Sequence, residues 1–158
     1  MQKSDGMSER WPASNPHRIL VVDDEQDILD IQVRVLKTAG HLVDTACNGA
    51  VALQKLTSQD YDLIITNMRM PILDGRSFYV RVCSSHPHLS RRVIFCTGDI
   101  ASADTLRFLS SAGVTVLFKP FALCALVDTV SHILDSTYLS PEVVRKPVAR
   151  SELALATP

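Results

Sequence analysis

The stretch RILVVDDEQDILDIQVRVLKTAGHLVDTACNGAVALQKLTSQDYDLIITN, residues 18–67, decides the fold. It opens on RILVVD, an unbroken apolar run of the kind a strand covered on both faces requires. Ile28, Leu29, Ile31, Val35 and Leu36 then recur near helical spacing, and Gly40 stands where a helix stop belongs. The same unit repeats: LVDTA at 42–46 reads as a strand, 49–59 as a helix, and DLIIT at 62–66 as a third strand.

Working outward, the loop NMRMPILDG leads into a helix over about 75–85, followed by a strand at 92–97. A helix over about 101–112, a strand at 114–118 and a helix over about 121–135 complete the series. Five strand–helix units in strict alternation predict an α/β fold: a doubly wound, five-stranded parallel sheet of flavodoxin-like type, with right-handed crossovers and helices on both faces. Residues 1–16 mix Ser, Asn, Pro and charge around Trp11 and are expected to form a flexible leader. The domain is expected over 17–136. In the tail, 137–158, Ser140 and Pro141 mark a short-helix start that Pro147 ends. A DNA-binding module would need about 60 further residues, so none is expected here.

Sixteen Lys and Arg against 17 Asp and Glu leave a net charge of -1, which gives no pull toward a polyanion, and nucleic acid is not expected as a partner. The apolar runs fall short of the roughly 20 residues a membrane span needs, and the N-terminus lacks the apolar core of a signal peptide. No membrane contact is expected, and a cytoplasmic location is. Cys47, Cys83, Cys96 and Cys124 show no metal-ligand spacing and are expected as small reduced core or helix residues. His86 and His88 flank Pro87 in a stretch that reads as a loop.

In an open parallel sheet the functional crevice lies beyond the carboxyl ends of the strands. The polar residues of this chain gather at those ends: Asp23 and Asp24 close the first strand, Asn67 follows the third, Thr97 closes the fourth and Lys119 the fifth. Adjacent carboxylates with an oxygen donor from the next strand suit a hard cation such as Mg²⁺. A hydroxyl and an ammonium facing them are groups that hold phosphoryl oxygens. The Lys119-Pro120 step is one that can adopt a cis bond.

RILVVDDE, YDLIITNMRMPILDG, CTG and FKPF stand in the order and at the intervals of response-regulator receiver domains, which residues 17–136 therefore resemble. The resemblance implies that Asp24, with Asp23 partly through water, holds Mg²⁺ together with the acceptor side chain and the Arg69 carbonyl. It also implies that Thr97 and Lys119 engage the phosphoryl group, and that the partner is a sensor histidine kinase or phosphotransfer protein.

Two positions leave the pattern. The family's acceptor is an aspartate, and Asn67 occupies the aligned position; a neutral amide oxygen is a poor nucleophile, so phosphate acceptance is expected to be blocked and Mg²⁺ affinity weakened. Removing one of three clustered carboxylates relieves repulsion of about 1–3 kcal/mol at an effective dielectric of about 20. At Val116, three residues before Lys119, relatives commonly carry an aromatic switch residue, so coupling is expected to be altered, although a buried strand residue is an equally good reading.

The helix over 121–135 carries an expected inward stripe of Leu123, Leu126, Val127, Val130 and Leu134, with Phe121, Cys124, Ala125 and Ile133 falling partly outside it. Excess outward apolarity predicts a partner surface or a homodimer through helix four, strand five and helix five. The function expected is a receiver protein of two-component signalling that acts by protein–protein binding and is not an enzyme. Two alternatives stay open: an engineered, non-phosphorylatable variant of an ordinary regulator, or the receiver fragment of a longer DNA-binding regulator. A hydrolase built on the aspartate pair fits less well, because VVDDEQD lacks the DxD spacing of haloacid-dehalogenase-like phosphatases.

Overall fold

The computed structural model describes residues 15–136. The expected leader and tail, with Trp11, Ser140, Pro141 and Pro147, fall almost wholly outside them. The elements run β1 (Arg18–Val22), α1 (Gln26–Thr38), β2 (Leu42–Ala46), α2 (Gly49–Ser58), β3 (Leu63–Asn67), α3 (Gly75–Ser85), β4 (Val93–Thr97), α4 (Ala103–Ala112), β5 (Thr115–Phe118) and α5 (Leu123–Asp135). A 3-10 turn, Pro87–Leu89, fills the stretch read as a loop.

All strand pairs are parallel and the sheet order is β2-β1-β3-β4-β5. The order reverses between β1 and β3, so the crevice opens beyond the ends of those two strands. Alternate side chains feed two cores. Ile19, Val21, Leu63, Ile65, Ile94 and Leu117 pack on α1 and α5. Leu20, Val22, Ile64, Phe95 and Val116 pack on the other face, under residues of α2, α3 and α4. Each fully buried side chain of this size contributes about 1.5–3 kcal/mol of burial free energy.

Local signals set the helix ends. Asn48, Asp74 and Ser102 each accept a bond from the backbone N–H three residues on, at 3.0, 2.8 and 3.2 Å. Ser102 thereby starts α4 two residues later than the periodicity predicts. Gly113, left-handed at φ 62, ends it.

Readings in α5 and at Cys47 need correction, and α1 shows which of its spaced residues face inward. In α1 the buried positions are Leu29, Gln32 and Leu36, while Ile31 is 46% exposed. In α5 Leu123 lies outward at 41% exposure, whereas Phe121 and Ile133, read as leaving the stripe, pack against the core. Cys124 is exposed and Ala125 half-buried, in keeping with their outward reading. Cys47 is neither core nor helix: it is exposed in the turn after β2, while Cys83 lies on α3 and Cys96 is buried.

Candidate functional site: a crevice at the carboxyl edge of the sheet

Five chain segments converge at the carboxyl edge of the sheet. Asp23, one residue past β1, is 1% exposed, and its backbone N–H donates to the Ala46 carbonyl at 3.1 Å, tying it to the end of β2. Both oxygens of its carboxylate are engaged: Oδ1 accepts from the Glu25 N–H at 3.0 Å and Oδ2 from Lys119 Nζ at 3.3 Å. A buried carboxylate of this kind is tolerable only with such partners, because burial of an unpaired charge is costly. Asp24, the next residue, is exposed.

Lys119 reaches Asp23 from the far side of the sheet. Its backbone N–H donates to the Thr97 carbonyl at 2.8 Å, continuing the β4–β5 ladder by one residue, and the bond to Pro120 is cis. Between them Cys96 is buried, and burial pushes its thiol up to about 12, with the Lys119 charge acting in the opposite sense. The thiol is therefore protonated at neutral pH and is no nucleophile.

Asn67 is the last residue of β3 rather than the first of the loop, paired in register with Cys96. Its Nδ2 donates to the Arg69 carbonyl at 3.0 Å and, over a longer 3.4 Å, to Asp24 Oδ1. The chain folds back behind it: the Gly75 N–H donates to the Met68 carbonyl at 2.8 Å, and a Cβ at Gly75 would collide with the Asn67 carbonyl oxygen. Glycine at 75 is therefore required by close approach of α3 to the strand end. In the same loop Ile72 holds φ 70, a left-handed conformation unusual for a β-branched residue.

Thr97 ends β4 at 1% exposure, and its Oγ1 accepts from the Asp99 N–H at 3.0 Å. The Asp99 carboxylate then gathers two donors on Oδ2: Arg69, through Nη2 at 2.6 Å and Nε at 3.1 Å, and Thr105 Oγ1 at 3.0 Å. The Arg69 contact, ahead of that from Thr105, holds the Asp99 carboxyl below its usual range. Asp99, Thr105 and the Arg69 guanidinium were not singled out in the sequence. The only signal was an acid two residues beyond Thr97, and its partner lies 30 residues away in the chain.

The structure thus brings Asp23, Asp24, Asn67, the Arg69 carbonyl, Thr97 and Lys119 to one edge. Val116 lies elsewhere, 2% exposed in the core opposite Phe95. Around it Tyr79, Phe95 and Phe108 meet edge to face at centroid distances of 5.8–6.0 Å. Arg76 caps Phe108 at 5.0 Å and binds Asp104 at 3.0 Å, joining α3 to α4.

The donor set does not suit a divalent cation as it stands. A hard cation takes oxygen ligands, yet Asn67 turns its nitrogen toward the two oxygens that would share the ion. Among the described residues no group of three or more His, Cys, Asp or Glu is placed to hold a metal. No helix of the described residues is long and apolar enough to cross a membrane.

Residues 19–131 match the family model of the response regulator receiver domain, and the chain belongs to that family. It is 32% identical over 117 residues to the response regulator receiver protein CpdR of Brucella abortus, covering 74% of this chain and 96% of the relative. It is 35% identical over 119 residues to the transcriptional regulatory protein PrrA of Mycobacterium tuberculosis, covering 74% of this chain but 49% of that protein. The chain therefore spans about half the length of PrrA. Among solved structures, the response regulator TrrA of Thermotoga maritima, crystallised in complex with Mg²⁺ and BeF, matches at TM-score 0.65 and 30% identity over 75% of this chain and 99% of that one. Chemotaxis response regulator CheY4 of Vibrio cholerae matches at TM-score 0.68 and 27% identity, covering 76% and 100%.

Proposed function

We propose that this chain is a two-component receiver that signals by protein–protein binding without accepting phosphate, the receiver domain occupying residues 17–136. The observation that carries the reading is Asn67 at the end of β3, at the family's acceptor position, inside an otherwise complete set of Asp23, Asp24, Thr97 and Lys119. Phosphoryl transfer needs a carboxylate oxygen as nucleophile, and the amide supplies none. Thr97 and Lys119 are the groups that would meet phosphoryl oxygens, and the amide at 67 weakens the pocket's affinity for Mg²⁺. The role is binding rather than turnover, and it is exercised in the cytoplasm.

The partner is a sensor histidine kinase or phosphotransfer protein. Leu106 on α4 and Leu123 and Cys124 on α5 leave apolar area outward and support this face as a contact for a partner or a second copy. The test is acetyl phosphate with Mg²⁺, read by intact mass, on this chain and on Asn67→Asp in parallel. Label on the Asn67→Asp form alone is expected. Label on the unsubstituted chain would place the acceptor elsewhere and overturn the reading, and label on neither would mean that the pocket has lost competence beyond Asn67.

A further inference from the structure

We infer that the Asn67 amide nitrogen takes the place of the cation: its Nδ2 bridges the Asp24 carboxylate and the Arg69 carbonyl, so that the crevice is assembled without metal. The inference rests on the receiver reading of the pocket and goes beyond weakened binding. It states that the chain carries an internal substitute for the ion.

The geometry leaves the amide one satisfactory orientation. With Nδ2 inward, one N–H₂ group donates to both oxygens, at 3.0 Å to Arg69 O and 3.4 Å to Asp24 Oδ1. Turned by half a rotation, Oδ1 would oppose a carbonyl and a carboxylate, three acceptors with no proton among them. A cation could reverse that preference only by offsetting two lost hydrogen bonds and its own dehydration, which Mg²⁺ resists.

The other charges nearby are already answered. Asp23 meets Lys119 at 3.3 Å and Asp99 meets Arg69 at 2.6 Å, which leaves the amide facing Asp24. An amide donor neutralises no charge, but it satisfies the lone pairs that an ion would otherwise hold together. Asn67→Asp removes the donor and adds a carboxylate, so the same oxygens then need a cation.

The test is thermal unfolding with and without about 10 mM Mg²⁺, at matched ionic strength, on the unsubstituted chain, Asn67→Asp and Asn67→Ala. Ligand binding to the folded state raises the midpoint by mass action, so the Asn67→Asp form should rise by about 3 °C or more. The Asn67→Ala form, which exposes both oxygens without adding charge, should rise by a smaller amount. The unsubstituted chain should not move.

A rise in the unsubstituted chain equal to that of Asn67→Asp would overturn the inference, because the amide would then yield to the ion. No rise in either variant would also overturn it, since the amide would not be standing in a cation's place. Acetyl-phosphate labelling separates the two claims. A Mg²⁺ shift confined to the variants with no label on Asn67→Asp sinks only the reading that Asn67 alone blocks phosphate acceptance, whereas label on Asn67→Asp with a shift in the unsubstituted chain sinks this inference alone.

Discussion

Arg69 and Asp99 pair at the carboxyl edge of the sheet, two guanidinium nitrogens converging on a single carboxylate oxygen at 2.6 and 3.1 Å. They join the loop after β3 to the loop after β4. Asp99 also fixes the start of α4 through Thr105 and the hydroxyl of Thr97 through its own N–H. One acid thus links the pocket to a helix. Arg69→Ala should raise the Asp99 carboxyl toward its ordinary range and loosen the first turn of α4. A carboxyl titration followed by NMR, with amide exchange at Thr105 and Leu106, checks both; an unmoved titration would mean that Arg69 is only a surface contact. The depressed carboxyl contributes stability above its ordinary value of 3.8, lost as pH falls through the lower folded value, so the effect belongs to acid solution.

His41 sets a second pH dependence, at the opposite edge of the sheet. It is 6% exposed, and burial, with the neighbouring His17 adding to it and Asp62 opposing, lowers its imidazole below the ordinary 6.5. The unfolded chain therefore takes up a proton that the folded one refuses, and stability falls as pH drops from 6.5 through the folded value. Thermal midpoints between pH 7.5 and about pH 5 should decline by a few degrees on this account. His41→Leu should remove much of that slope; an unchanged slope would assign it to other groups.

Ile72 offers a stabilising substitution. Its side chain is 84% exposed, so it packs on little, yet its φ of 70 is strained for a β-branched residue. Ile72→Gly should raise stability by about 1 kcal/mol, measured by denaturant midpoint at unchanged slope. A loss would show that the loop uses the side chain.

Gln32 is a buried polar group with a cost. It is 3% exposed and its Oε1 has no hydrogen-bond partner among the described residues. Gln32→Leu keeps similar bulk and removes the unsatisfied acceptor, and should raise stability by about 1 kcal/mol. If the variant is instead destabilised by a comparable amount, a water or partner satisfies that oxygen in solution.

These last residues show where reading the sequence stops. The order of elements was legible because unbroken apolar strands and spaced helical residues recur five times, and strand ends then collected Asp23, Asp24, Asn67, Thr97 and Lys119 without need of coordinates. Direction within a helix was less legible. Apolar spacing counts Ile31 with Leu29 and Leu36, whereas the face that those two set passes through Gln32 at three- and four-residue steps. Leu123 misleads in the same way, standing in the first turn of α5 before the helix settles on the sheet. The Arg69–Asp99 contact had no local signature at all, since only the adjacency of β3 and β4 brings its halves together. The turn of the Asn67 amide was equally hidden, because it depends on which oxygens surround it.

Helix α4 buries one residue, Leu109, where α5 buries four. Phe108 and Ala112 pack half-buried against the same core, and the other anchors are on the outside: Asp99 on Thr105, and Arg76 on Asp104. A helix fastened in this way has a low cost of local opening, and its amides should be among the first to exchange with solvent. A change of surface charge can therefore reseat it while the core under α1 and α5 stays closed, which makes it the loosely fastened part of an otherwise cooperative unit.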